Sequence, residues 1–282
     1  VGTQSDFEKR AIFLAAVCGQ TYVQFGNPAG SFVIPMDFSL THTIQAKSIT
    51  KVWEVFGFVI ESPQEIIIAF RGTSSTTDWI SDAIASQMRF KFIKEDSLTH
   101  RGFTKIYSSA RDGIMSALTN LSPDKKLYIT GHSLGAALAT LCAIDLAANT
   151  AFSSPILYTF GSPRVGNPAF AKAFTNYVQN SYRVANQFDI VTYAPPSIYK
   201  LPKREKKYYY SHVRALNPLS FQNGAVGLNH VISSYFDDLS RLEPEFTIWL
   251  CSINPGFCPP AEATSKAAKS EYGHRQIHTP IN

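Results

Sequence analysis

An α/β fold, with a mostly parallel sheet and helices on both faces, is what this sequence predicts, on three observations. Strand-like and helix-like stretches alternate from about residue 125 to 190, and parallel strands need crossover helices of that kind. Two runs rich in Val, Ile and Phe, "KVWEVFGFVIES" and "EIIIAFRG", precede them and are joined by Ser62-Pro63-Gln64, the signature of an antiparallel edge. Between the strand "KLYIT" and the helix "LGAALATLCAIDLAAN" one serine stands among glycines, in Gly131-His132-Ser133-Leu134-Gly135.

Taken in order, "DFEKRAIFLAAVCGQTY" is a helix, with Asp6 as its expected N-cap and apolar residues at helical spacing. After the two early strands, "RGFTKIYSSARDGIMSALTNL" is an amphipathic helix. "PILYTFGS" is a strand, "NPAFAKAFTNYV" a helix and "SYRVAN" a strand. "KKYYYSHVRAL" alternates and is expected as one late strand, and "NHVISSYFDDL" as a last helix beginning at His230. Residues 1–260 are expected to form one domain. From Ala261 the chain becomes polar and lacks a core pattern, so 261–282 is expected as a tail.

The 282 residues are 45% hydrophobic and 17% charged, enough to bury a large core. No apolar run reaches the roughly 18 residues that cross a bilayer. The net charge of +5 fits ordinary solubility. No aromatic–basic or helix-turn-helix pattern points to nucleic acid. Of four cysteines, Cys142 lies inside a helix as an expected buried thiol. Cys18, Cys251 and Cys258 allow one disulfide in any of three pairings, or none, and no spacing resembles a metal site.

The serine turn carries the chemistry. Glycines two residues on either side of Ser133 relieve a tight turn that pushes the hydroxyl out above the sheet. A serine hydroxyl is a poor nucleophile until a base takes its proton, and that base needs an orienting carboxylate. On such a strand–turn–helix the acid and then the histidine follow the serine. His212, His230, His274 and His278 are the histidines beyond it. His274 and His278 fall in the polar tail, and His212 sits in an alternating stretch with a packing role. His230 follows the loop "QNGAVGLN" and is preferred, because a base reaches through space from a loop. Asp189, just after "SYRVAN", is preferred as the acid over Asp237 and Asp238, because functional residues gather at the ends of late parallel strands. His132 is expected to point away from the nucleophile.

With "AFRGTSSTTDWISD", "THRGF", "YITGHSLGAALATL", "YTFGSPRVGNPAFA", "FDIVTYAPP" and "NHVISSYF" in this order, the chain resembles the class 3 lipases, the fungal-type triacylglycerol lipase group. The resemblance covers roughly residues 6 to 258 and implies an α/β-hydrolase sandwich with a short helical lid. It implies Ser133 as nucleophile, Asp189 as orienting acid and His230 as base, with Thr73 and Leu134 at the oxyanion hole. The lid would lie at about 74–85, with Trp79 and Ile80 on its apolar face. Ala136 stands where relatives often carry another glycine.

The expected activity is ester hydrolysis without a metal or organic cofactor, on triacylglycerol at a lipid–water interface. A phospholipase A1, a feruloyl or short-chain esterase, and a non-catalytic lipid-binding module are the alternatives. Lys200, Lys203, Arg204, Lys206 and Lys207 form a basic loop suited to solvent or to anionic head groups. A monomer is expected, and a secreted protein is favoured over a cytoplasmic one.

Overall fold

The computed structural model describes residues 3–27, 29–73, 86–200, 206–213 and 216–260. The expected lid with Trp79 and Ile80, the centre of the basic loop, and the tail with His274 and His278 lie outside the described residues.

The chain opens with helix α1 (Gln4–Gly26) and continues through strands β1 (Ser39–Lys47), β2 (Trp53–Glu61), β3 (Glu65–Phe70), β4 (Gln87–Arg89) and β5 (Leu98–His100). Helix α2 (Arg101–Leu118), β6 (Lys126–His132), α3 (Leu134–Asn149), β7 (Ile156–Phe160), α4 (Pro168–Tyr177) and β8 (Asn180–Asn186) form the alternating core. Short strands β9 (Ile198–Lys200), β10 (Lys207–Tyr209) and β11 (Leu216–Leu219) precede helices α5 (Ile232–Ser240) and α6 (Pro244–Ile253). The main sheet has seven strands in the order β1-β2-β3-β6-β7-β8-β11. β1, β2 and β3 pair antiparallel, and from β3 to β11 every pairing is parallel. This is the α/β-hydrolase sandwich, with helices on both faces.

β3 shows why the centre reads as an unbroken apolar run. Ile66, Ile68 and Phe70 pack in the core layer that contains α2 and α3 residues, while Ile67 and Ala69 pack in the opposite layer with α1 residues such as Ile12 and Ala15. A strand covered on both faces has no polar side to alternate with. Between α2 and α3, buried Asp145 accepts hydrogen bonds from Tyr107 Oη (2.6 Å), Arg111 Nε (2.6 Å) and Asn149 Nδ2 (2.7 Å).

Several expectations need correction. The cap of α1 is Thr3, and Asp6 is its capping-box partner: Asp6 N–H donates to Thr3 Oγ1 (3.1 Å) and Thr3 N–H to Asp6 Oδ2 (2.8 Å). A threonine with an acid three residues on satisfies two helix-end donors reciprocally. The single late strand is two separate elements. Among the described residues β10 pairs with β9 alone, whereas β11 joins the main sheet beside β8. Pro218 lies within β11 and removes a ladder donor, which suits an edge strand. His230 precedes α5, whose cap is Val231. β1 and α6 were not legible as elements. Cys251 and Cys258 form the disulfide, while Cys18 and Cys142 are buried thiols.

Candidate active site

β6 ends at His132 and α3 begins at Leu134, leaving Ser133 alone to turn the chain. Its backbone sits at φ 59° and ψ −127°, a conformation that costs a non-glycine residue on the order of 1–3 kcal/mol. The turn is held from both sides by close backbone approach. A methyl on Gly131 would lie 2.2 Å from Gly135 O, and one on Gly135 would lie 2.2 Å from Phe70 O. Ser133 caps α3 by position, yet its hydroxyl makes no cap hydrogen bond. Ser133 Oγ is buried without a hydrogen-bond partner among the described residues.

Asp189 follows β8 and is fully buried. Its carboxylate accepts three hydrogen bonds: Oδ2 from His230 Nδ1 (2.7 Å) and Tyr235 Oη (2.6 Å), and Oδ1 from Val191 N–H (2.9 Å). An Nδ1–H donated to a carboxylate leaves Nε2 of a neutral imidazole as an acceptor. His230 Nε2 is buried and, among the described residues, unpaired, like the serine oxygen. Ser133 N–H donates to Phe160 O (3.0 Å) at the end of β7. The next residue, Gly161 at φ +57°, abuts the pair: a methyl there would lie 2.8 Å from Asp189 Oδ2 and 3.2 Å from His230 Nδ1. Asp189 and His230 are thus paired, and Gly161, which abuts them, follows the Phe160 whose carbonyl accepts from Ser133 N–H; no hydrogen bond joins Ser133 Oγ to His230 Nε2 among the described residues. His212 is elsewhere engaged, its Nε2 donating to Thr192 O (2.8 Å). Asp238 pairs with Arg241 (3.3 Å) on the outside of α5.

His132 bridges the His230 loop and helix α1. Its Nε2 donates to His230 O (2.6 Å), since a carbonyl can only accept, so Nδ1 accepts from Tyr22 Oη (2.6 Å). Tyr22 Oη in turn accepts from Gly72 N–H (3.1 Å). Burial first, and then neighbouring His230, push the His132 pKa well below the ordinary histidine value.

The loop after β3 lies against the serine. A methyl on Gly72 would sit 2.9 Å from Ser133 Cβ. Buried Arg71 fixes that loop, donating to Val55 O (2.6 Å), Gly72 O (2.8 Å) and Glu54 Oε2 (2.6 Å) while stacking on Phe25 and Phe56. Thr73 follows at once. Leu134 opens α3, where backbone N–H groups have no partner within the helix. Gly72 and Ser133, the residues just before Thr73 and Leu134, thus approach each other closely.

Sequence reasoning missed Tyr22, Gly161, Asn186 and Tyr235. Tyr235 follows His230 in "NHVISSYF"; burial and then Asp189 raise its hydroxyl pKa well above the ordinary value, so it remains a donor. Asn186 clamps the histidine loop, its Nδ2 donating to Phe221 O (3.0 Å) and Asn229 O (3.1 Å) while Oδ1 accepts from Phe221 N–H (3.1 Å). A single buried amide carries no sequence signal of that kind. Among the described residues no cluster of His, Cys, Asp and Glu is arranged to hold a metal. A cavity of about 850 Å³ opens at the other end of the sheet, between Phe7, Tyr158, Tyr182 and Trp249. It lies at the starts of the parallel strands and shares none of these groups.

The family model for class 3 lipases matches residues 67–199. A lipase of Rhizomucor miehei is 34% identical over 159 residues, covering 53% of this chain and 42% of that protein. Secreted mono- and diacylglycerol lipase A of Penicillium camembertii is 36% identical over 133 residues, covering 46% and 43%. The chain thus spans less than half the length of these curated relatives. Among solved structures, lipase II from Rhizopus niveus superposes with a TM-score of 0.60 at 26% identity, covering 70% of this chain and 78% of that one. The matched stretch runs from β3 through the serine turn to Asp189, and over it the chain is similar to the fungal-type class 3 lipases.

Proposed function

We propose that this protein is a serine ester hydrolase that cleaves acylglycerols at a lipid–water interface through an acyl-enzyme. The observation that carries the reading is the pairing of His230 Nδ1 with Asp189 at 2.7 Å, beside a strained serine whose hydroxyl is otherwise unengaged. In the proposed cycle Ser133 Oγ attacks the ester carbonyl while His230 Nε2 takes its proton. Asp189 retains Nδ1–H and stabilises the imidazolium. The N–H groups of Leu134 and Thr73 receive the oxyanion, each donor being worth about 3 kcal/mol in such sites. The alcohol leaves with the proton from Nε2. Water, deprotonated by the same nitrogen, then releases the carboxylic acid and regenerates the serine.

Residues 1–260 act in this reading as one catalytic domain. The neighbours named for secreted mono- and diacylglycerol lipases favour a secreted enzyme. The Cys251–Cys258 disulfide fits an oxidising compartment. A second reading, phospholipase A1, draws on a rice phospholipase A1-II 1 that is 33% identical over 152 residues. Turnover of dissolved p-nitrophenyl butyrate tests the chemistry. Ser133→Ala is expected to abolish it and to prevent labelling by a fluorophosphonate, and retained turnover would remove Ser133 from its role. Triolein set against phosphatidylcholine separates the two substrate readings.

A further inference from the structure

The turn joining β1 to β2 carries an unusual surface. Ile49, Val52 and Trp53 are each 55% exposed, three large apolar side chains within five positions. Lys47 and Lys51 flank them, and the Lys47 ammonium lies 5.4 Å from the centre of the Trp53 ring. Single exposed apolar residues are ordinary, but clusters mark contact sites. The tip is firmly built. Ser48 N–H donates to Val52 O (2.8 Å), Lys51 N–H donates to Ser48 O (2.9 Å), and Lys47 N–H is anchored on Ser109 Oγ (2.8 Å) of α2.

Register fixes where this tip points. Gly57 of β2 pairs with Phe70 of β3, and Phe70 pairs with Gly131 of β6. Trp53 lies four residues beyond that level and Ser133 two, so at ~3.3 Å per residue the tip stands roughly 13 Å out and the serine roughly 7 Å. Both are at the same end of the sheet. Across the sheet, after β8, Phe188, Ile190 and Tyr193 are also exposed beside Asp189. Two apolar outcrops therefore flank the serine strand on opposite sides of one end. A compact protein partner or a small ligand meets one patch; an extended apolar plane meets both.

We propose that the β1–β2 tip is a membrane-inserting element: Ile49, Val52 and Trp53 enter a lipid–water interface, and Lys47 and Lys51 engage its anionic head groups. Tryptophan suits the boundary layer of such an interface, and lysines attract acidic lipids. The inference deepens the interfacial-hydrolase reading, and its test is separable from that reading because it uses Ser133→Ala protein, in which no chemistry is needed.

Binding is read by sedimentation with sucrose-loaded vesicles, either of phosphatidylcholine alone or of equal parts phosphatidylcholine and phosphatidylglycerol. Ile49→Ser combined with Trp53→Ser is expected to lower partitioning about tenfold on both. Lys51, at φ 66°, is replaced by Asn, which tolerates that conformation. This change is expected to lower binding about fivefold on the mixed vesicles and not on phosphatidylcholine. Ile248→Ser removes a more exposed apolar side chain from α6, next to the cavity at the other end of the sheet, and is expected to change nothing. Thermal midpoints check folding, and if the double variant is destabilised the Lys51→Asn comparison carries the test. Parent-like partitioning of the tip variants, or an equal loss with Ile248→Ser, overturns the proposal.

Discussion

Replacing Gly161 with alanine perturbs the Asp189–His230 pair without substituting either residue. Gly161 sits at φ +57°, where a side chain costs on the order of 1 kcal/mol. The added methyl would lie 2.8 Å from Asp189 Oδ2. Restoring ordinary contact, at ~3.5 Å, displaces carboxylate or strand end by roughly 0.7 Å. A misplacement of about 1 Å in a catalytic group costs on the order of a hundredfold in rate. The expected loss in kcat/KM on a dissolved p-nitrophenyl ester is therefore roughly 30-fold, about 2 kcal/mol. The loss should appear in kcat, because the methyl faces the acid–base pair and not the acyl chain. In an Asp189→Asn background the same substitution should add little, since groups acting as one unit are not additive. Activity within about threefold of wild type, or an undiminished loss in the Asp189→Asn background, would refute the reasoning.

Tyr235→Phe removes one of the three donors on Asp189 and should lower kcat about tenfold with KM unchanged, as steady-state kinetics on the same ester would show. Acid stability follows from the buried histidines. Burial lowers His100 and His212 from 6.5 to about 4, and His132 lies well below its ordinary value. The unfolded chain binds these protons first, so stability is full above pH 6.5 and is lost as pH falls toward 4. Each histidine contributes a slope of about 1.4 kcal/mol per pH unit. Urea titrations across that window should show the fall, and His100→Phe should remove about one proton from the slope; an unchanged slope would contradict this account.

The parts of the site that were legible in the sequence are those that short-range chemistry forces into view. A serine at positive φ demands small neighbours, so Gly131 and Gly135 announce the turn before any fold is known. Asp189 and His230 could be ranked by their place after a strand and a loop. The supporting groups could not be ranked. Tyr22 reaches His132 across 110 positions, and Asn186 holds Phe221 across 35, and neither residue type is unusual where it stands. β1 escaped notice because its first five residues are exposed or half-buried, so alternation begins only at Ile44. The late strand was misread because "KKYYYSHVRAL" runs across the gap between β10, which ends at Tyr209, and β11, which starts at Leu216, and the partner of β10, β9, is itself only three residues long.

Helix α1 ties the two ends of the described chain together. Gln20 Nε2 donates to the carbonyls of Gly256 (3.0 Å) and Phe257 (2.8 Å), and Tyr22 of the same helix reaches the bond that orients the His230 loop. The apolar side of this helix packs on β2, β3, β6 and β7 and is closed over by α5 and α6 from the other end of the described chain. A break in the segment after α6 would therefore loosen Gln20 and, through Tyr22 and His132 on the same side, the support of the His230 loop.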